Sequence, residues 1–225
     1  MENNLQEIHK QDTTLDYVKK IKNLIRYIDK YHPNDLIHLS STKINIQSLK
    51  NKNNIHESWL SNVYYNPHGL WVSCGSSWLK FIKKSSLYHT KWAKCKYVYI
   101  VKVDEDILHI KKLNELIAFH QKYAIYKKDE GYKINWIKVK KDYNGLLICP
   151  FLGNKIWNSE KKSRTDYFHL TSNTEKYIIE SIKKNIMKYP SLYLEWYRHW
   201  EEASGVIWKI KSIKGIELIL DYIYE

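Results

Sequence analysis

The chain has 225 residues, 44% hydrophobic and 14% aromatic, which is the make-up of a folded globule and excludes a disordered chain. A net charge of +13, carried far more by Lys than by Arg, favours an anionic partner held by diffuse attraction more than by bidentate base reading. Cys74, Cys95 and Cys149 form no CxxC, which argues against a disulfide scaffold or a Cys-rich zinc site, and with no apolar run of membrane-spanning length and a polar start the expectation is an intracellular protein with no membrane partner.

Residues 1–13 are polar and are expected to form a flexible N-terminus ahead of a single α+β domain over 14–225. From Thr14, the residues Leu15, Val18, Ile21, Leu24, Ile25 and Ile28 recur at three- and four-residue intervals, predicting an amphipathic helix capped near Asp12–Thr14. Pro33 closes it, because the residue before a proline is disfavoured in a helix. Asp35-Leu36-Ile37-His38-Leu39-Ser40-Ser41 follows as a short apolar strand ending in a histidine and hydroxyls. Residues 42–65 are rich in Asn, Lys and Ser, with a short helix or turn around Ile46–Leu49 and a loop from Asn51 to Asn54. In Asn66-Pro67-His68-Gly69, Pro67 fixes φ and Gly69 can take φ > 0, so the chain bends sharply into the strand Leu70-Trp71-Val72, which Ser73 to Ser76 stop. Trp78, Leu79, Phe81 and Ile82 then share one face of a helix over 76–84.

Ser85 to Lys94 is a basic aromatic connector, and Tyr97–Val103 is the clearest β-run, continuous enough to be central or nearly so. Asp104–Asp106 turns the chain into a short strand, Ile107–Ile110. Helical spacing resumes over 112–126 and over 134–143. Asn144-Gly145 leads into a buried strand, Leu146–Cys149, stopped by Pro150. The polar stretch 153–175, with the cluster Lys161-Lys162-Ser163-Arg164, is expected to loop out, and Tyr177–Tyr189 to form a basic helix. An aromatic-dense segment to Trp200 is followed by the turn Glu201-Glu202-Ala203-Ser204-Gly205, a strand over 206–210, and a last strand or helix from Ile216 to Tyr224. The chain contains no HExxH, GxGxxG, Walker loop or GxSxG, so no metal site, phosphate cradle or serine elbow is expected.

The order of three stretches resembles the ADP-ribosyltransferase superfamily, in its His–Tyr–Glu branch, that of the poly-ADP-ribose polymerases. Ile37-His38-Leu39-Ser40 is similar to that branch's His strand, and Gly69-Leu70-Trp71-Val72-Ser73 to its Gly-aliphatic-Tyr strand, with Trp in place of Tyr. A Ser-bearing helix and the strand Tyr97–Val103 follow in the same order, so the likeness spans residues 35–110. The resemblance implies an α+β fold with a split mixed or antiparallel sheet flanked by helices. It implies NAD as substrate. His38 would bind the ribose and the backbone of Leu39 the nicotinamide carboxamide, at a position the family usually gives to Gly. Ser40 would line the pocket, Trp71 would stack nicotinamide, and Ser73, Ser76 or Ser77 would complete the site.

Such chemistry also needs a carboxylate, because departure of nicotinamide leaves positive character at C1′ of the ribose. Glu201 is the favoured candidate, with Glu202 beside it. The topology of the resembled family points instead to the position before the Gly145–Cys149 strand, which holds Asn144, with Asp142 two residues earlier. The expectation is thus a NAD-dependent transferase of ADP-ribose to a protein or nucleic-acid acceptor. The alternative is a basic, aromatic-rich nucleic-acid-binding module without catalysis, holding single strands by stacking and lysine contacts.

Overall fold

The computed structural model describes residues 18–44, 67, 69–84, 95–127, 131–153, 156, 194–198, 200 and 202–221. Helix α1 (18–31) buries Ile21, Leu24, Ile25 and Ile28, the side that the three-and-four spacing predicts. Strand β1 (Leu36–Ser40) follows, then β2 (Leu70–Cys74) and α2 (Ser77–Lys84). Strand β2 runs through Ser73 and Cys74 instead of stopping at Ser73. The positive φ belongs to Gly75, at +54°, where a Cβ would lie 2.6 Å from the Pro33 carbonyl oxygen. Gly69 serves by close approach instead, since a Cβ there would lie 2.6 Å from the Ile207 carbonyl oxygen.

Next come β3 (Tyr97–Val103), β4 (Leu108–Ile110) and α3 (Leu113–Tyr123). The helix expected to reach residue 126 ends at Tyr123, and β5 (Ala124–Lys127) pairs with β6 (Gly131–Ile134) as an antiparallel hairpin. Cross-strand packing of Tyr126 on Tyr132, with ring centroids 5.1 Å apart, outweighs the local helical spacing there. Helix α4 (Trp136–Asp142) is capped by Asn135, whose side chain accepts from the Lys138 N–H at 3.0 Å. Strand β7 (Gly145–Ile148), helix α5 (Glu195–Arg198), β8 (Ser204–Ile207) and β9 (Ile213–Asp221) complete the described chain, so the last element is a strand. The cap near Asp12–Thr14, the turn at Ile46–Leu49, the loop at 51–54, the connector 85–94, most of the 153–175 loop and the helix at 177–189 lie outside the described residues.

The fold is α+β. Its seven-stranded sheet has the order β4-β7-β8-β2-β1-β3-β9. Only β4 and β7 pair in parallel; every other neighbouring pair is antiparallel, so the sheet is mixed. One face is covered in two halves. Over β1 and β3, Ile37, Leu39, Val98 and Ile100 pack against α1 and α2. Over β7 and β8, Leu146, Ile148 and Val206 pack against α3, α4 and an aromatic group of Trp136, Trp196, Tyr197 and Trp200. The opposite face carries its own apolar cluster of Val72, Val101, Leu147, Ile207 and Ile213.

Two features of this packing generate predictions. Gly205 lies on β8 between β2 and β7, and a Cβ would meet the Leu147 side chain and stand 2.5 Å from the Leu146 carbonyl oxygen. Gly205→Ala should destabilise the fold by about 1–3 kcal/mol, measured by urea unfolding. His120 is buried, accepts the Trp196 indole N–H at 3.1 Å, and burial pushes its pKa down to about 3. The unfolded imidazole therefore takes up a proton below its ordinary pKa of about 6.5 while the folded one stays neutral, so stability falls as pH falls through that window. Acidification from about pH 7 to about pH 5 should cost on the order of 2 kcal/mol through this group, and the loss should be absent in His120→Gln.

Candidate functional site

Strands β1 and β2 are each five residues long, yet their ladder comprises only Leu36 opposite Cys74 and Ile37 opposite Ser73. Beyond that point each strand keeps its outer neighbour. β1 pairs with β3 through Ser40, and β2 pairs with β8 back to Leu70. The sheet is therefore split between residues 38–40 and 70–72. The His38 imidazole enters this split, with Nδ1 2.6 Å from the Trp71 carbonyl oxygen. A carbonyl has no proton to give, so Nδ1–H is the donor and Nε2 is left as an acceptor. Burial holds the His38 pKa below its ordinary value, and the bond to Trp71 offsets that in part, so the ring is neutral at pH 7.

Register decides what surrounds His38. Antiparallel pairing sets His38 opposite Tyr99 and Ser40 opposite Tyr97, and directly opposed residues share a face. The rings of His38 and Tyr99 have centroids 6.4 Å apart, as do those of Tyr99 and Tyr97. The Tyr99 hydroxyl accepts the Ile44 N–H at 2.8 Å, and the Ser40 hydroxyl donates to the Thr42 carbonyl at 2.6 Å. Leu39 points to the other face and packs in the cluster beneath α1 and α2, so its side chain finds room away from His38.

The remaining expected residues divide. The Trp71 carbonyl meets His38, while its ring is half-buried against the Trp200 cluster, with centroids 4.9 Å apart. Ser73 is buried, donating to the carbonyls of Gly75 at 2.9 Å and Ile37 at 3.3 Å. Ser76 is buried and donates to Asp29 at 2.5 Å, tying the start of α2 to α1. Ser77 donates to the Ala203 carbonyl at 2.5 Å.

Glu202 and Asn144 lie at opposite ends of β8. Glu201 lies outside the described residues. Glu202, half-buried, stands where β8 enters beside Ser73, and its carbonyl accepts the Ser204 hydroxyl at 3.0 Å. Burial pushes the Tyr197 phenol up, and the Glu202 charge adds to that rise. Asn144 precedes Gly145, which pairs with Ile207 at the far end of β8. Its side chain bonds Asp106, and its carbonyl accepts from Trp208 and Lys209, each at 3.1 Å. Asp142 is engaged with Tyr123 at 2.5 Å and Lys122 at 3.0 Å. Asn144 and Asp142 thus hold the chain together at the end of β8 remote from Ser73, the end toward which the split opens, since Leu70 and Gly145 both pair with Ile207.

Tyr97, Tyr99 and Trp200 were not among the expected site residues. The Tyr-x-Tyr alternation of β3 places both tyrosines on one face, but only the pairing with β1 shows which face that is. The cysteines also depart from expectation. Cys74 and Cys149, 75 residues apart in sequence, are disulfide-bonded, because β2 and β7 flank β8 and the small Ala203 lies between their ends. Cys95 is free, and burial pushes its thiol up to about 11. Among the described residues no group of three or more His, Cys, Asp or Glu comes together, and no helix is long and apolar enough to cross a membrane. No family model, no curated protein and no solved structure matches the chain. Alkylation in denaturant without reductant should label Cys95 alone, and all three cysteines only after reduction; peptide mass spectrometry that finds three labelled thiols without reduction removes the bond.

Proposed function

We propose that the chain is an intracellular NAD-dependent ADP-ribosyltransferase acting on a protein or nucleic-acid acceptor, with the split between β1 and β2 as its NAD site. The observation that carries this reading is His38, kept neutral by burial and oriented in the split by its bond to the Trp71 carbonyl, with Tyr99 beside it. Its Nε2 has no partner among the described residues and can accept a ribose hydroxyl, and the backbone of residues 38–40 has no ladder partner on β2 to compete with a carboxamide. In the proposed reaction the C1′–N bond of NAD breaks, nicotinamide leaves with the electron pair, and an acceptor oxygen or nitrogen attacks C1′ and loses its proton. A carboxylate would stabilise the cationic ribose, and Glu201 and Glu202 are the candidates, although Glu202 stands beside Ser73 at the joined end of β1 and β2 and the split opens toward Leu70 and Asn144. A second reading, a basic aromatic-rich nucleic-acid-binding module without catalysis, is favoured by the +13 charge.

The test is release of nicotinamide from labelled NAD, alone and with DNA, RNA or cell lysate. His38→Ala would orphan the Trp71 carbonyl and cost about 1–3 kcal/mol of stability, so it is a poor probe. His38→Asn keeps a donor near Nδ1 and lacks Nε2. It should fold normally by circular dichroism and lose at least about a hundredfold in turnover. Activity should also fall on acidification below the ordinary histidine range, where Nε2 takes a proton. Glu201→Gln and Glu202→Gln, compared in the same assay, identify the acid by whichever loses kcat. No nicotinamide release under any condition overturns the transferase.

A further inference from the structure

The outer side of α1 lies opposite the apolar stripe that packs on the sheet. Lys19, Lys22, Arg26, Tyr27, Lys30 and Tyr31 are all exposed there, and their three- and four-residue spacing joins them into one band. Tyr27 and Tyr31 are 41% and 56% exposed, one helical turn apart, with ring centroids at 5.1 Å and planes inclined at 49°. The Lys30 ammonium stands 4.8 Å over the Tyr31 ring. Among the described residues, the acids nearby are already engaged. Asp29 pairs with Lys80 at 2.9 Å and accepts from Ser76, and Asp35 lies 2.9 Å from the His32 ring. The band therefore keeps its positive charge.

We propose that this face of α1 binds single-stranded nucleic acid, with bases stacking on Tyr27 and Tyr31 and phosphates lying along Lys19, Lys22, Arg26 and Lys30. Cations alone would attract any polyanion. The adjacent tyrosines narrow the partner, because an exposed ring offers its face to an unpaired base, whereas a duplex keeps its base faces stacked inside. The band holds no exposed large aliphatic side chain, as a helix seated in a lipid surface would. The two residues are one turn apart, about 6 Å along the helix axis between their Cα atoms, so the paired rings present adjoining surfaces to neighbouring bases. This inference does not depend on transfer of ADP-ribose in the split.

Fluorescence anisotropy of the whole chain with a labelled oligothymidylate of about twenty nucleotides tests it. Binding should weaken with salt with a log–log slope of about −3, as four phosphate contacts on a single strand require. Tyr27→Ala/Tyr31→Ala should weaken it at least about tenfold, whereas Tyr27→Phe/Tyr31→Phe should not. An abasic strand of equal length should bind like the alanine variant, and Arg26→Ala/Lys30→Ala should lower the slope by about 1.4. His38→Asn should bind as the parent does, which separates this surface from the split. Equal affinity for the abasic strand or for duplex, indifference to the alanine pair, or preference for phosphatidylserine vesicles over the oligonucleotide would each overturn the proposal.

Discussion

The structure turns on the place where β1 and β2 part. A β-strand inside a sheet satisfies its backbone through two neighbours, and a carbonyl left without a partner in a buried setting costs about 1–3 kcal/mol. After Ile37 and Ser73 the ladder between these strands ends, although both strands continue along their outer neighbours. The His38 imidazole supplies the missing donor to Trp71. One side chain thus allows the sheet to open at its centre, and it fixes its own tautomer by doing so.

The two halves on either side of the split are built differently. β1, β3 and β9 rest on α1 and α2 through aliphatic side chains, while β2, β8 and β7 rest on an aromatic cluster in which Trp136, Trp196 and Trp200 pack within 6.4 Å of one another. The Cys74–Cys149 bond ties the second half together across the entry of β8. Links between the halves include the short β1–β2 ladder, the His38 bond, and the Ser76–Asp29 hydrogen bond from α2 to α1. A small change in any of these acts on the width of the split more directly than a change in either core.

Much of the frame was legible in the sequence because it is set by local period. Ile21, Leu24, Ile25 and Ile28 announce α1, and the β-branched run of β3 announces a strand, before any tertiary contact is known. What was not legible depends on partners distant in the chain. Ala124 to Lys127 continues a helical pattern and becomes a strand only because residues 131–134 pair with it. Nothing in the spacing of Cys74 and Cys149 shows that both strand ends border Ala203. Tyr97 and Tyr99 come beside Ser40 and His38 through register, and register is fixed by the face each strand buries.

The same dependence on register bears on the departures from the resembled motif. A leucine in place of glycine after the histidine would crowd the split if its side chain entered there. Alternation along β1 sends Leu39 to the opposite face, among Ile21, Ile28 and Val98, so the substitution adds to the core and leaves the backbone edge beside His38 open. A tryptophan in place of tyrosine is likewise absorbed on the aromatic side, against Trp200, leaving its carbonyl to meet His38. Both larger side chains enlarge the cores flanking the split instead of filling it. The groups that border the split are therefore His38 and the backbone edges of β1 and β2, with the tyrosines of β3 beside His38 and Ser40. Substitutions at 39 and 71 act on how firmly those groups are held.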